Sequence, residues 1–252
     1  QYFYRDVDAY YKTVYGDFDT MLKAAVAEAY ELRAACDKFD RELIKKMKKV
    51  SPEYAKLGAL AYRQTVAAHK LCEIDGKMMF FSKENFSNGC MATLDVTYPS
   101  IPLFLLYNPE LVKGMARPIF KYAESEAWPF DFAPHDCGRY PLVNGQVYGN
   151  NALHMQMPVE ECGNMLVMVT TAAIAEKDIS FAEAHWDTLS DWVKYLLQYG
   201  EDPENQLCTD DFAGHLAHNC NLSIKAIMGV ACFGLLHRMK GNEAEYQHYI
   251  AE

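Results

Sequence analysis

Four stretches of the chain put ionisable side chains next to turn or helix-start signals: "LDVTYPS" (94–100), "WPFDFAPHDCGRYP" (128–141), "MPVEECGN" (157–164) and "CTDDFAGHLAHNCN" (208–221). Asp210 and Asp211 are paired acids near a helix entrance, a pattern suited to general acid and base work, with helix capping the plainer role for one of them. Glu160 and Glu161 fall in a first helical turn. Neighbouring helical residues point about 100° apart, so one of the two faces a pocket while the other complements the helix dipole. Asp95 with Tyr98 either lines that pocket or caps the following helix. On composition alone "WPFDFAPHDCGRYP" is a proline-stiffened loop whose aromatics, Trp128 among them, plug one end of a helical array, with His135, Asp136 and Arg139 as its ionisable candidates. His218 and Asn219 complete the set of substrate-contacting candidates.

Other chemistries lack their signatures. "HLAH" sets His215 and His218 three apart and His135, Asp136 and Cys137 are consecutive, but no HExxH motif is present, so no metal and no cofactor is expected. There is no phosphate-cradling glycine loop, dinucleotide fingerprint or nucleophile elbow. Cys137 beside His135 is the one local arrangement that would suit a thiol nucleophile. The eight cysteines are scattered without a CxxC pair and read mainly as buried thiols, a disulfide or two being the alternative.

The formal charge is −10, and "KKMKK" at 45–49 is the sole basic cluster, which argues against nucleic acid or an anionic membrane as partner. The longest apolar runs, such as "MGVACFGLL" at 228–236, stop short of the roughly 18 to 20 residues that span a bilayer, so no membrane span is expected.

These candidates must be positioned by helices. Apolar residues recur at helical spacing from Asp17 to Val50, with Met21, Leu22, Val26, Leu32, Leu43 and Met47 on one face. Ser51 and Pro52 restart a helix expected to run to about Cys72. Asp75 and Gly76 between two extended runs signal a hairpin. Further helices are predicted from Pro109, from Val159 to Ala175, after a "SFAE" capping box at Ser180, from about Leu222 to Met239, and from Glu243. The stretch 127–158 is a long aromatic loop, of the kind that is functional in folded domains. Alternating helix, turn, helix and long loop suggests an all-α array of helical hairpins.

"LDVTYPSIPLFLLYNPELVKGMARPIFKYAES", "WPFDFAPHDCGRYPLVNGQ", "MPVEECGNMLVM" and "HLAHNCNLSIKAIMGVACF" together resemble the glutaminase A family of fungi and gut bacteria. The resemblance implies hydrolysis of the side-chain amide of L-glutamine to glutamate and ammonia by a secreted, periplasmic or envelope protein. More distantly, "LDVTYPS" and "APHDCG" are similar to motifs of glycoside hydrolases of the non-lysosomal glucosylceramidase type. That similarity implies a partial (α/α)6 toroid of helical hairpins, with long loops at one end and a small β-hairpin. It also places a general acid at Asp210 or Asp211 and a rigid turn at the pocket mouth at Pro134, His135, Asp136 and Gly138, so that Asp95, His135, Asp136 and Arg139 would shape the pocket, the guanidinium suiting a bidentate carboxylate contact. Under these resemblances the chain is one helical region, residues 1–252, internal to a longer multidomain polypeptide whose other domains are its partners. One acid of Glu160 and Glu161 then works with Asp210 or Asp211 on a small-molecule substrate. A carbohydrate-active enzyme, with Trp128, Phe130, Phe132 and Tyr140 stacking on sugar rings, and a non-catalytic helical binding module are the alternatives.

Overall fold

The structure, a computed structural model, describes residues 1–148, 151–209 and 214–252. Asp210 and Asp211 lie outside the described residues. A short helix, α1 (Tyr10–Tyr15), is followed by two helices where the periodicity suggested one long or broken helix: α2 (Phe18–Ala27) and α3 (Ala29–Met47), parted at Glu28. Asp17 caps α2 by accepting the Thr20 N–H at 2.7 Å. Leu43 is buried, but Leu22, Val26 and Leu32 stay exposed, so the apolar period is correct while its face is open. In α4 (Pro52–Ala67) the Ser51 hydroxyl accepts from Tyr54 N at 2.9 Å, as a cap before proline should. This helix ends before Cys72, because the residues after it pair into a sheet.

That sheet is a hairpin of β1 (His69–Ile74) and β2 (Lys77–Ser82), with Cys72 opposite Met79. Asp75 and Gly76 both adopt positive φ, 54° and 72°, as a two-residue turn between twisted strands requires. The hairpin lies on α7 (Pro109–Ala123) at Gly114, where a Cβ would sit 3.2 Å from the Met78 carbonyl oxygen. Arg117 on the next turn donates to that same carbonyl at 2.5 Å. Buried His69 stacks on Phe80 at 4.3 Å between ring centroids, and its Nδ1 meets the Thr65 carbonyl at 2.6 Å.

Two short helices, α5 (Leu94–Thr97) and α6 (Ile101–Tyr107), lead into α7. The remainder is α8 (Pro158–Glu176), α9 (Ser180–Glu183), α10 (Trp186–Tyr199), α11 (Cys220–Met239) and α12 (Glu243–Ala251), so the described chain is all-helical apart from the hairpin and isolated bridges. The capping box anticipated at Ser180 does not form: the Asp178 carboxylate caps instead, taking both the Ser180 N–H and its hydroxyl at 2.9 Å. At the centre is α8, buried along most of its length and packed on α7, α10 and α11. It meets α11 closely because Gly163 and Gly229 face each other; a Cβ on Gly229 would sit 3.1 Å from the Gly163 Cα. Its far end is tied to α7 by Lys113, which pairs with both Glu110 and Glu176 at 2.7 Å.

By length and composition α11 is apolar enough to cross a membrane, a length that its consecutive apolar residues alone do not reach. Here it packs against α8, α10 and α12. Five of the eight cysteines, Cys90, Cys137, Cys162, Cys208 and Cys232, are buried.

The aromatic loop is folded onto the helices. Trp128 and Phe132 are buried, with the Trp128 indole N–H donating to the Phe132 carbonyl at 2.7 Å. Residues 135–140 then run beside 89–94 in an irregular ladder: Leu94 N to His135 O at 2.8 Å, Met91 N to Gly138 O at 2.8 Å, Cys137 N to Met91 O at 3.0 Å and Tyr140 N to Gly89 O at 2.9 Å. This ladder brings Asp95 and His135 together. Gly138 adopts φ 142°, and a Cβ there would lie 2.5 Å from the Leu142 carbonyl oxygen, so both backbone and space demand glycine. Replacing Gly138 by Ala is expected to cost about 1–3 kcal/mol and lower the thermal midpoint by several degrees, read by circular dichroism. An unchanged midpoint would contradict the strain.

Candidate active site

Helix starts and loops from four parts of the chain meet around a pocket of about 410 Å³. Asp95 comes from α5 and Tyr98 from the turn after it. Glu160 comes from the first turns of α8, Thr209 from the loop before α11, and Asn221 and Lys225 from α11 itself. Ile224 and Met228 form its apolar edge. No side chain of α8's own cap residue, Met157, satisfies the exposed backbone at its start. Gln206 supplies that bond from the loop, accepting the Val159 N–H at 3.0 Å. The loop is thereby tied to the helix that carries the acids.

The pocket's polar groups form one network. Lys225 Nζ lies 2.9 Å from Glu160 Oε1 and 4.7 Å from the centre of the Tyr98 ring. The Thr209 N–H donates to Glu160 Oε2 at 2.8 Å, and the Thr209 hydroxyl donates to Asp95 Oδ2 at 3.0 Å. Behind Asp95 stands His135, its Nε2 3.4 Å from Asp95 Oδ1 and its Nδ1 2.8 Å from Asp136 Oδ2. Asp136 is buried and held in turn by the Gly138 N–H at 2.9 Å. Glu161 is fully buried, with Asn164 donating to its Oε2 at 2.8 Å while its Oε1 has no hydrogen-bond partner among the described residues.

Burial sorts these groups into different charge states. Removal from water drives the Glu161 carboxyl well above the ordinary range, and the neighbouring negative charges of Asp95 and Glu160 push it further. Burial acts in the opposite sense on His135, but the Asp136 and Asp95 carboxylates outweigh it and raise the imidazole well above its usual value. Burial would raise Asp95 too. Its contacts with His135, Thr209 and the Val96 N–H prevail and hold it below the usual carboxylate range. The shifts thus run toward an ionised Asp95, a protonated His135 and a neutral Glu161. Donor atoms of these three residues all lie within 4.8 Å of one another, a spacing that a divalent ion could bridge. Protons on His135 and Glu161 meet the same electrostatic need.

Of the residues singled out in the sequence, Asp95, Tyr98 and Glu160 line the pocket, with His135, Asp136 and Glu161 behind them. Others are placed elsewhere. Trp128 is a core residue, held by its bond to Phe132. Exposed Arg139 lies 5.6 Å from the centre of the Tyr148 ring and is not among the lining residues. Exposed His218 pairs with Asp202 at 2.6 Å. Asn219 is the cap of α11, accepting the Asn221 N–H at 2.9 Å. Cys137 is fully buried and its thiol is pushed well up by burial and by Asp136, the reverse of what a nucleophile needs. Sequence reasoning passed over Lys225 and Thr209. The available signals were a lone cation in the apolar helix "NLSIKAIMGV" and a hydroxyl directly before the paired acids.

Residues 51–252 match the glutaminase A six helical-hairpin domain. The chain is 38% identical over 191 residues to glutaminase A of Aspergillus oryzae, covering 75% of this chain and 27% of that protein. It is 28% identical over 254 aligned positions to a protein of Arthroderma benhamiae named probable glutaminase, covering 78% of this chain and 29% of that protein. It thus spans less than a third of the length of these curated relatives. The matched domain and the first of these identities establish that the chain belongs to the glutaminase A family.

Proposed function

We propose that the pocket, in the full-length protein, hydrolyses the side-chain amide of L-glutamine to glutamate and ammonia. The observation that carries this reading is the Asp95 carboxylate in the pocket wall, with His135 Nε2 3.4 Å behind it and buried Glu161 within 4.8 Å of both. Asp95 takes a proton from water as the hydroxide adds to the amide carbon, and that proton is the one the departing amine needs to leave as ammonia. His135 holds the carboxylate in place and supplies positive charge beside it. Glu160 is assigned to binding, since its Oε1 is paired with Lys225 at 2.9 Å. Asp210 and Asp211, which follow Thr209 directly in sequence, remain the proposed source of a second acid. A sugar substrate is less well supported, since Trp128 and Phe132 are spent in the core and, among the described residues, Tyr98 is the aromatic residue that lines the pocket. The names of the relatives suggest a glutaminase, and a secreted or envelope location is proposed on the same family ground.

Replacing Asp95 by Asn is expected to lower kcat for ammonia release from L-glutamine by about 100-fold or more, with the thermal midpoint retained. The pH profile of the parent should keep its activity down to the ordinary carboxylate range, because the folded pKa of Asp95 lies below its model-compound value. Full turnover by the Asn variant would remove Asp95 from the chemistry.

Glu161 makes a separate prediction about stability. A carboxyl whose folded pKa is raised binds its proton more tightly folded than unfolded, so its contribution is complete at acid pH and is lost as pH rises toward the folded value. Replacing Glu161 by Gln keeps the shape of the neutral acid without a titrating proton. The variant should melt near the parent at pH 5 and above it increasingly as pH is raised. A constant difference in midpoint across that range would show that Glu161 carries no such proton.

A further inference from the structure

We infer that Lys225 and Glu160 read the two charges of a free α-amino acid, Lys225 taking the α-carboxylate and Glu160 the α-ammonium. This rests on the amide-hydrolase reading of the same pocket and names what selects its substrate. Lys225 is the one cation among the described residues lining the pocket, set against the carboxylates of Asp95 and Glu160. An ammonium has three donors, and among the described residues one of them is given to Glu160 Oε1. The Tyr98 ring supports the same ammonium from its face at 4.7 Å.

The placement of Lys225 is built into the scaffold. Its stem crosses α8 at Gly163, one turn beyond Glu160, where a Cβ would lie 2.5 Å from Lys225 Cγ and 2.8 Å from the Lys225 carbonyl oxygen. No other residue leaves room for that crossing. A pair made only for stability would be a poor use of the site, because desolvating two charges offsets most of their attraction. In a pocket the pair has a second use. A zwitterion presents its own carboxylate and ammonium side by side, and the Lys225 and Glu160 heads, 2.9 Å apart, offer the matching charges. A neutral sugar, or a glutamine side chain within a peptide, offers neither charge at that position.

The test uses the full-length protein and L-glutamine beside two blocked forms, its N-acetyl derivative and its α-carboxamide. Binding is followed by calorimetry, and ammonia release is followed separately. The parent should bind L-glutamine at least tenfold more tightly than either blocked form. Replacing Lys225 by Met should raise KM for L-glutamine at least tenfold with kcat changed less than about threefold, and should erase the preference over the α-carboxamide. Replacing Glu160 by Gln should erase the preference over the N-acetyl form, and Lys225→Arg should restore part of the lost affinity. Equal binding of all three ligands by the parent overturns the inference without any variant having to fold. So does a Lys225→Met enzyme that loses kcat while KM and discrimination stay as in the parent. Should the parent bind L-glutamine with this selectivity and release no ammonia, charge recognition stands and the hydrolytic reading falls.

Discussion

Two carboxylates at the start of α8 are carried into the interior, and much of the surrounding architecture follows from accommodating them. Pro158 fixes the entry to the helix, so Glu160 and Glu161 arrive on successive faces of a segment that is otherwise apolar. Helix α11 must then come close enough for Lys225 to reach Glu160. That approach exists because Gly163 and Gly229 remove the side chains that would hold the two helices apart. A helix pair this close gains dispersion contacts along its length, and Leu166 and Leu196 fill the flanks of the contact at Gly229. Buried charge and close packing are thus one constraint seen from two sides.

The same constraint explains why the aromatic loop is rigid. His135 must meet Asp95 with a defined ring orientation, and Asp136 supplies it by accepting the Nδ1 proton while it is itself anchored on the Gly138 N–H. The ladder between 89–94 and 135–140 fixes the backbone on both sides of that contact. The role of Phe132 and Trp128 is to seat the loop on the core, with Tyr195 of α10 packed against Phe132 at 5.3 Å between ring centroids. Aromatic residues that look available for a ligand in the sequence are used as an anchor.

Helix and hairpin positions were legible because their signals are local. Ser51 before Pro52, and Asp75 with Gly76, do their work within a few residues. The apolar stripe of α2 and α3 was legible as a period but not as a burial pattern, since period says nothing about what lies opposite. The acids Asp95 and Glu160 could be picked out as pocket candidates from their place at helix starts. Lys225 could not, because its function depends on a glycine 62 positions earlier in a different helix. The side chains of Arg139 and His218 turn to Tyr148 and Asp202, contacts between segments that no local pattern pairs.

The two ends of α8 allow scaffold and site to be told apart on charge alone. At its C-terminal end Glu110 and Glu176 meet Lys113 and Arg117, two anions with two cations, each anion paired at 2.7 Å or less. That network is balanced and asks for nothing more. At the N-terminal end Asp95, Asp136, Glu160 and Glu161 face only Lys225 and His135 among these interacting groups, and a proton on Glu161 makes up half of the shortfall. An imbalance held in the interior is costly for folding, because it forces a carboxyl to keep its proton far above its ordinary pKa. Structure alone gives no reason to retain it, since neutral side chains of the same shape would pack as well. It does leave the pocket with carboxylate oxygens in excess of its own cations, which is the condition for receiving an ammonium group and for taking a proton from water beside it.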